Sequence, residues 1–360
     1  MCTGRIISGR RDMDILADIA GTLLAQAQKP TLAFLMGGML LAALGSRLEV
    51  PEQVYKLIVL LLLLKVGLGA GISLREADPV TLAAPAAAAV ALGIALVLIG
   101  ARSLAVWPGV GRMDGMATAG LFGAVSASTL AAGMAMLDSE GVAYEGYIGV
   151  LYPFMDVAAL ITAIVLARVS AARATATPGP DGTATVAVGG GGLGPGGLRD
   201  ILSETARSPA ISALLLGLAI GLVARPDVVY ADFYEPLFRG LLSLLMLTMG
   251  MEAWSRLSEL RKVAHAYVLF GLTAPLIHGA LGLAAGVALH HLMGFSGGGA
   301  VLLAVMAASS SDISGPPTLR GALPEANPSA YVGASTGLGT PVAILSIPLW
   351  MALADKLIGL

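Results

Sequence analysis

The feature that most limits how this chain can fold is a succession of ten apolar windows. A helix needs roughly 17–25 apolar residues to cross a bilayer. Only 12% of the residues are charged, against about 25% in a typical soluble domain. We therefore predict an all-α polytopic membrane protein with ten transmembrane helices. The windows lie at residues 30–45, 54–74, 79–101, 114–137, 146–169, 208–224, 236–255, 262–292, 296–323 and 329–357.

Composition excludes several other classes of function. The net charge of −2 does not favour a nucleic-acid partner. The single cysteine, Cys2, excludes an internal disulfide, and the four histidines are scattered, so no cofactor or transition-metal site is expected. The serines have no nearby histidine that would make a nucleophile–base pair, which argues against an enzyme. Residues 1–28 are interpreted as an N-terminal extension with a short amphipathic lead-in.

The chain also carries signs of an internal duplication. A Gly- and Pro-rich segment, residues 171–207, is predicted to be a flexible cytoplasmic linker with five windows on each side. "LLLLKVGLGAG" in the first half matches "LLMLTMGMEAW" in the second, and "LFGAVSASTLAAG" matches "LAVMAASSSDISG", each pair about 180 residues apart. Five spans are an odd number, so the second repeat must enter the membrane inverted. We predict two inverted repeats, residues 29–170 and 208–360.

Basic residues predict the orientation of these repeats, because cytoplasmic loops are enriched in Lys and Arg. With a cytoplasmic linker, twelve basic residues fall inside and five outside, or eight with the N-terminal extension. Both termini are therefore predicted to lie outside.

The fourth window of each half is interrupted by small and polar residues. The interruptions are "GAVSAST" (123–129) and "SSSDISGPP" (309–317). Broken backbone at that depth is tolerated only where protein or a cavity surrounds it. We predict discontinuous helices 4 and 9 that cross near the midplane. The starts of their second halves, with free N–H groups and positive dipole ends, would face each other and bind a small anion.

Asp312, inside the second interruption, is costly to insert into a bilayer. It either caps the second half-helix or binds a hard cation together with hydroxyls, as oxygen-only ligands suit sodium. Asp156 is the other carboxylate within a span, and it either binds a cation or fixes neighbouring helices by hydrogen bonds. Adjacent Na⁺ and anion would partly neutralise each other in a low dielectric, which gives a physical reason for cotransport.

Five stretches resemble the cyanobacterial sodium-dependent bicarbonate transporters of the SbtA family. They are "PTLAFLMGGML", "GLFGAVSASTLAA", "LYPFMDVAALITAIV", "FYEPLFRGLLSLLMLTMGMEAWSRLSELRKVA" and "AVMAASSSDISGPPTLRGALPEANPSAYVGASTGLGTP". The resemblance runs from about Met13 to the C-terminus, except for the linker. It implies a Na⁺/HCO3⁻ symporter of the plasma (inner) membrane that raises internal inorganic carbon. It further implies a homotrimer whose protomers have a gate domain (helices 1, 2, 6 and 7) and a core domain (helices 3–5 and 8–10). A PII-like regulatory protein, SbtB, would dock on the cytoplasmic face.

The resemblance also implies where the substrate binds, while the sodium ligands rest on their chemistry. The implied substrate-binding residues are Phe122, Gly123, Ala124, Val125, Ser126, Ser309, Ser310 and Ser311. The candidate Na⁺ ligands are Asp312, Ser128, Thr129 and Asp156. The linker is short and Gly-rich, where family members can have a longer and more charged one, which puts regulation through it in doubt. Ala127 stands where a Gly can occur.

Two further hypotheses concern the rest of the chain. Lys65 and Glu252 occupy similar depths in helices 2 and 7 and are predicted to pair, with separate solvation as the alternative. The alternatives in function are a sodium-coupled carrier of another small monovalent anion, such as a short carboxylate, and a non-transporting membrane protein that senses an anion.

Overall fold

The computed structural model describes residues 30–76, 79–175, 207, 209–260 and 265–360. All regular structure in these ranges is helical, which confirms the all-α class. The predicted N-terminal extension and most of the predicted linker lie outside the described residues.

The first half of the described chain forms six helices. A single 3₁₀ turn, Ile148–Val150, leads into the last of them. They are α1 (Pro30–Ala43), α2 (Glu52–Glu76), α3 (Pro79–Ala105), α4 (Arg112–Gly123), α5 (Ala127–Glu140) and α6 (Leu151–Thr175).

The second half begins with longer helices and ends with shorter ones. Asp227–Val229 and a π-helical turn, Tyr230–Tyr234, lead into α8, and a second π-helical turn, Gly333–Gly339, joins α12 to α13. The helices are α7 (Pro209–Val223), α8 (Glu235–Leu260), α9 (His265–Met293), α10 (Gly297–Ala308), α11 (Gly315–Ala322), α12 (Pro328–Val332), α13 (Thr340–Leu345) and α14 (Ile347–Ile358).

The described helices include several that are suited to a bilayer. Seven helical segments are long and apolar enough to cross a membrane, and three shorter apolar helices accompany them. Among the long segments, Arg112–Glu140 is broken between α4 and α5, and Asp227–Ser255 and Ala330–Ile358 each contain a π-helical turn. The chain is therefore a multi-pass membrane protein, while the count of ten spans and their inverted relation stay predictions.

Glycines bring four of these helices into close backbone contact. α2 packs against α7, and α1 packs against α8, over most of their lengths. A Cβ atom on Gly67 or Gly217 would collide with the backbone of the facing helix, and the same holds for Gly38 against Leu247. Small residues permit such approach where helices associate in lipid.

The helices next to the two predicted interruptions, residues 123–129 and 309–317, pack against the rest of the described helices. α4 packs against α3 and α6, while α10 packs against α9 and α14. Along α10 every residue from Ala300 to Ala308 is fully buried, as expected of an apolar helix enclosed by others. This arrangement places both interruptions in the interior of the protein.

Candidate functional site

The first interruption is a short extended segment between α4 and α5. Ala124 and Ser126 have β-region backbone angles, and α5 begins at Ala127. The Ser126 hydroxyl accepts hydrogen bonds from the backbone N–H of Thr129 at 3.1 Å and from its hydroxyl at 3.0 Å. Ser126 is thus an N-cap of the kind that Ser residues commonly form.

The second interruption separates α10 from α11. Ser309 is extended and ends α10, and its hydroxyl donates to Met306 O at 2.7 Å. The Ser311 hydroxyl accepts from Gly315 N–H, the first residue of α11, at 2.9 Å. The serine run therefore provides the hydrogen bonds that the ends of two broken helices lack.

Buried hydrogen bonds join the two interruptions directly. Ser126 N–H donates to the Ser309 hydroxyl at 2.9 Å, and Ser311 N–H donates to Leu121 O at 2.9 Å. The structure therefore brings together Ser126, Ser309 and Ser311, which the sequence assigned to one site from opposite halves of the chain.

Asp156, on α6, bridges the two interruptions. Its Oδ1 accepts from Val125 N–H at 3.1 Å, and its Oδ2 accepts from the Ser314 hydroxyl at 2.9 Å. The residue is completely buried. Both carboxylate oxygens are already engaged, so this geometry favours fixing of neighbouring helices over cation binding.

Asp312 has a different environment. Its Oδ2 accepts a hydrogen bond from the Ser128 hydroxyl, which lies 2.8 Å from the Ser126 hydroxyl. Since Ser128 donates to Asp312, Ser126 is the donor to Ser128. Asp312 Oδ1 is buried and has no hydrogen-bond partner among the described residues. A buried carboxylate oxygen without a donor is suited to binding a cation.

The chemistry around Asp312 fits a hard cation. The described residues contain no group of three or more His, Cys, Asp or Glu that could hold a metal ion. Ser128 contributes a hydroxyl that is bonded to Asp312, and the Ser126 hydroxyl is bonded in turn to that of Ser128. Such oxygen donors suit Na⁺ better than a transition metal.

The first turns of α5 and α11 differ in the number of free N–H groups that they offer. The prediction that both helix starts would present such groups to an anion is therefore wrong. In α5, Thr129 N–H serves the cap and Leu130 N–H bonds to Ser126 O, so the N–H groups of Ala127 and Ser128 have no such partner. In α11, Gly315 N–H is bonded to Ser311, and prolines 316 and 317 have no N–H to offer. Of these two helix starts, only that of α5 offers free N–H groups.

The other predicted substrate residues are buried in the walls of the first interruption. The Phe122 ring packs edge-to-face on Phe270, with 5.0 Å between ring centroids. Gly123 packs so closely on α3 that a Cβ would collide with Val97. Ala124 and Val125 are buried as well. In this group, Val125 N–H donates a hydrogen bond to Asp156, and Phe122 O is hydrogen-bonded to His278 Nδ1.

Several residues that the sequence did not single out complete the site. The Ser335 hydroxyl, in the second π-helical turn, donates to Ser310 at 2.9 Å, and Thr340 lies 3.4 Å from the same hydroxyl. His278 Nδ1, on α9, lies 3.1 Å from Phe122 O. The small polar run "GASTGLGT" was the available signal for the π-helical turn, and such turns often occur at functional sites.

The predicted pairing of Lys65 with Glu252 is wrong. Lys65 Nζ lies 4.4 Å from the centre of the Phe238 ring, close to the start of α8. Glu252 follows Phe238 by fourteen residues on the same helix, a separation of about 21 Å at 1.5 Å per residue. Lys65 therefore contacts the first turn of α8, far from Glu252 along that helix, and the two side chains do not pair.

Interrupted helices that meet inside a multi-pass helical protein, with hydroxyls and a carboxylate at their junction, are typical of membrane carriers. A family model of the Na⁺-dependent bicarbonate transporter superfamily matches residues 30–355, and the chain belongs to this superfamily. It is therefore a membrane transporter by family. No curated protein gives a match to the chain.

Proposed function

We propose that the protein is a secondary transporter that couples the uptake of bicarbonate to Na⁺ at the junction of the two interruptions. The observation that carries the proposal is Asp312 Oδ1, which has no hydrogen-bond partner in the described part of the chain and which Ser128 holds beside the start of α5. Membership of the Na⁺-dependent bicarbonate transporter superfamily supports both solutes.

The anion binds at the start of α5. The free N–H groups of Ala127 and Ser128 and the positive end of the helix dipole favour a negative charge there. Bicarbonate presents acceptor oxygens to these donors and one O–H to a neighbouring hydroxyl. Prolines leave α11 without free N–H groups, so this site is one-sided.

The cation binds at Asp312 Oδ1, and Ser128 links the two solutes. The Ser128 hydroxyl donates a hydrogen bond to the Asp312 carboxylate, and the Ser128 N–H is one of the free N–H groups in the first turn of α5. Ions bound on either side of Ser128 attract each other strongly in an interior that excludes water. Each solute therefore raises the affinity for the other, the reciprocal linkage that cotransport requires. Thr129 supports this arrangement through Ser126, and Asp156 holds the junction together.

Transport requires movement of the helices that carry the junction against the others. The close packing of α2 on α7 and of α1 on α8 supports a gate domain of these four helices. In the numbering of the ten predicted spans, these contacts join helix 2 to helix 6 and helix 1 to helix 7. Helices 1 and 2 of the first repeat correspond to helices 6 and 7 of the second, so exchanging the repeats converts one contact into the other. This symmetry supports the inverted duplication. The plasma-membrane location, outside termini, homotrimer and SbtB partner rest on the resemblance and the basic residues.

The test is uptake of labelled inorganic carbon into proteoliposomes at alkaline pH, with an inward gradient of Na⁺ or of K⁺. Asp312→Asn keeps the shape of the side chain and removes its charge. Asp355→Asn, an exposed position on α14, is the matched control. Uptake that needs Na⁺ and is lost only in Asp312→Asn supports the proposal. Uptake in K⁺ equal to that in Na⁺ contradicts it.

The N–H groups at the start of α5 could bind any small oxyanion. A separate competition experiment therefore identifies the transported anion. Excess acetate or nitrate is added to the same vesicles. Bicarbonate transport predicts that neither competes at equal concentration. Strong competition by acetate with Na⁺ dependence intact would instead identify a carrier of short carboxylates. Absence of flux for every anion, together with retained binding, would identify a sensor.

A further inference from the structure

A polar cavity lies apart from the junction, between α2, the end of α5 and the start of α8. Its volume is about 430 Å³. It is located at the helix ends that the basic-residue distribution predicts to be external. The polar side chains that line it are Lys65, Ser73, Asp138, Tyr144, Tyr230, Glu235 and Arg239.

Lys65 is the unusual member of this lining. It lies at the middle of α2 and is only 7% exposed. Its Nζ lies 4.4 Å from the centre of the Phe238 ring and 5.7 Å from that of Tyr230. Aromatic faces attract an ammonium but accept none of its three N–H groups in ordinary hydrogen bonds. Lys65 makes no hydrogen bond or ion pair with any described residue.

The acidic groups of the cavity do not neutralise Lys65 by contact. Asp138 and Glu235 act on it electrostatically, but neither forms an ion pair with it. The Asp138 carboxylate accepts a hydrogen bond from the Tyr144 hydroxyl at 2.8 Å, so one of its oxygens is already engaged within its own segment of the chain. A buried ammonium that faces a polar cavity with unused donors is suited to a small anion.

The cavity extends toward the junction along α5. Met134 is part of its wall and follows Thr129 by five residues, about 8 Å along a helix. Ala143 and Arg239 lie at its exposed end. The cavity therefore lies between the exposed surface and the start of α5.

We infer that this cavity is an entry site for small monovalent oxyanions, with Lys65 as the residue that attracts them before they reach the junction. The identity of the transported anion rests on the proposed function, whereas the attraction of anions by Lys65 does not. The acids at the cavity wall keep binding weak, so that a captured anion can move on.

The first experiment measures charge selectivity in the cavity without using transport. Cys2 is the single cysteine, so Cys2→Ser gives a chain in which Ala143→Cys is the only thiol. The rates of its modification by negatively and positively charged methanethiosulfonates are compared in Na⁺-free buffer of low ionic strength. Leu292→Cys, at a position 82% exposed and outside the cavity lining, is the matched reference thiol.

The expected result is a preference for the anionic reagent at Ala143→Cys that falls at least about fivefold in Lys65→Met and survives in Lys65→Arg. Bicarbonate should slow the anionic reaction when Lys65 is present and leave it unchanged in Lys65→Met. The reference thiol should respond to neither change. Equal preferences with Lys65 intact and in Lys65→Met would overturn the inference.

The second experiment connects the cavity to uptake. Lys65→Met should raise KM for bicarbonate about fivefold with little effect on KM for Na⁺, since the cation site lies at Asp312. Lys65→Arg should restore KM, and Arg239→Gln, an exposed cation of the same cavity, should have a smaller effect. An equal change in both KM values would indicate a structural role and contradict the inference. If no variant, the parent chain included, takes up bicarbonate, the proposed function fails while the thiol rates still decide the role of Lys65.

Discussion

Two aspartates, the fully buried Asp156 and the half-buried Asp312, occupy the same junction but differ in their partners. Asp156 accepts from one interruption with one oxygen and from the other interruption with its second oxygen. Asp312 accepts from Ser128 with one oxygen, and its other oxygen is buried without a partner among the described residues. A fully engaged carboxylate stabilises the fold, whereas one with unused acceptor capacity is available to a ligand. The comparison predicts that their substitutions separate stability from coupling.

The largest effect is expected from Asp312→Asn. Loss of the negative charge removes the principal cation ligand, so Na⁺-dependent uptake should fall about 100-fold or more. The melting temperature of the detergent-purified protein should stay near that of the parent, because Oδ1 has no partner to lose among the described residues. A collapse of the melting temperature would instead show that Asp312 is structural.

The next largest effect is expected on stability, from Asp156→Ala. The change leaves Val125 N–H and the Ser314 hydroxyl buried without their acceptor, at a cost of about 2–4 kcal/mol. Thermal unfolding should detect this loss, and Asp156→Asn, which keeps one acceptor oxygen, should lose less. The variant that remains folded should retain the parent's KM for Na⁺. A large rise in that KM without loss of stability would make Asp156 a cation ligand after all.

Ser128→Ala sharpens the comparison at the Asp312 side. Without the hydroxyl, Asp312 Oδ2 loses its donor and its orientation, so KM for Na⁺ should rise about tenfold. Ser139→Ala is a suitable control, because its hydroxyl bonds to Met136 O at the far end of α5. Equal KM values for the two variants would separate Ser128 from the cation site.

The smallest effect is expected from Pro316→Ala, which adds an N–H to the first turn of α11. Because the proposed anion site uses only the start of α5, KM for bicarbonate should change less than about twofold. A severalfold decrease in KM would show that α11 also faces the anion, as the sequence had predicted. The uptake assay described above measures either outcome.

The positions of the interruptions were predictable from local chemistry alone. Serine runs, an aspartate and consecutive prolines inside apolar windows predict broken helices, and α5 and α11 begin within those stretches. The same reasoning could have found that α11 lacks free N–H groups, since prolines 316 and 317 are visible in the sequence.

Other parts of the site depended on which surfaces meet. Lys65 and Glu252 were predicted to pair because they lie at similar depths in their apolar windows. Position within a window does not show which parts of two helices contact each other. The structure places Lys65 at the start of α8 against Phe238, and Glu252 lies near the other end of that helix. Likewise, no local pattern connects His278 with Phe122 O or Ser335 with Ser310.

The sequence by itself determined the helical class, the places where the chain breaks and the residue types available at each break, because hydropathy and backbone chemistry act over a few neighbouring residues. Only the tertiary structure decided that Ser126 bonds to Ser309, that Asp156 joins both interruptions and that Asp312 keeps an oxygen without a partner in the described part of the chain. These outcomes depend on distances between residues far apart along the chain. Such distances are set by the packing of whole helices, which no short stretch of sequence encodes.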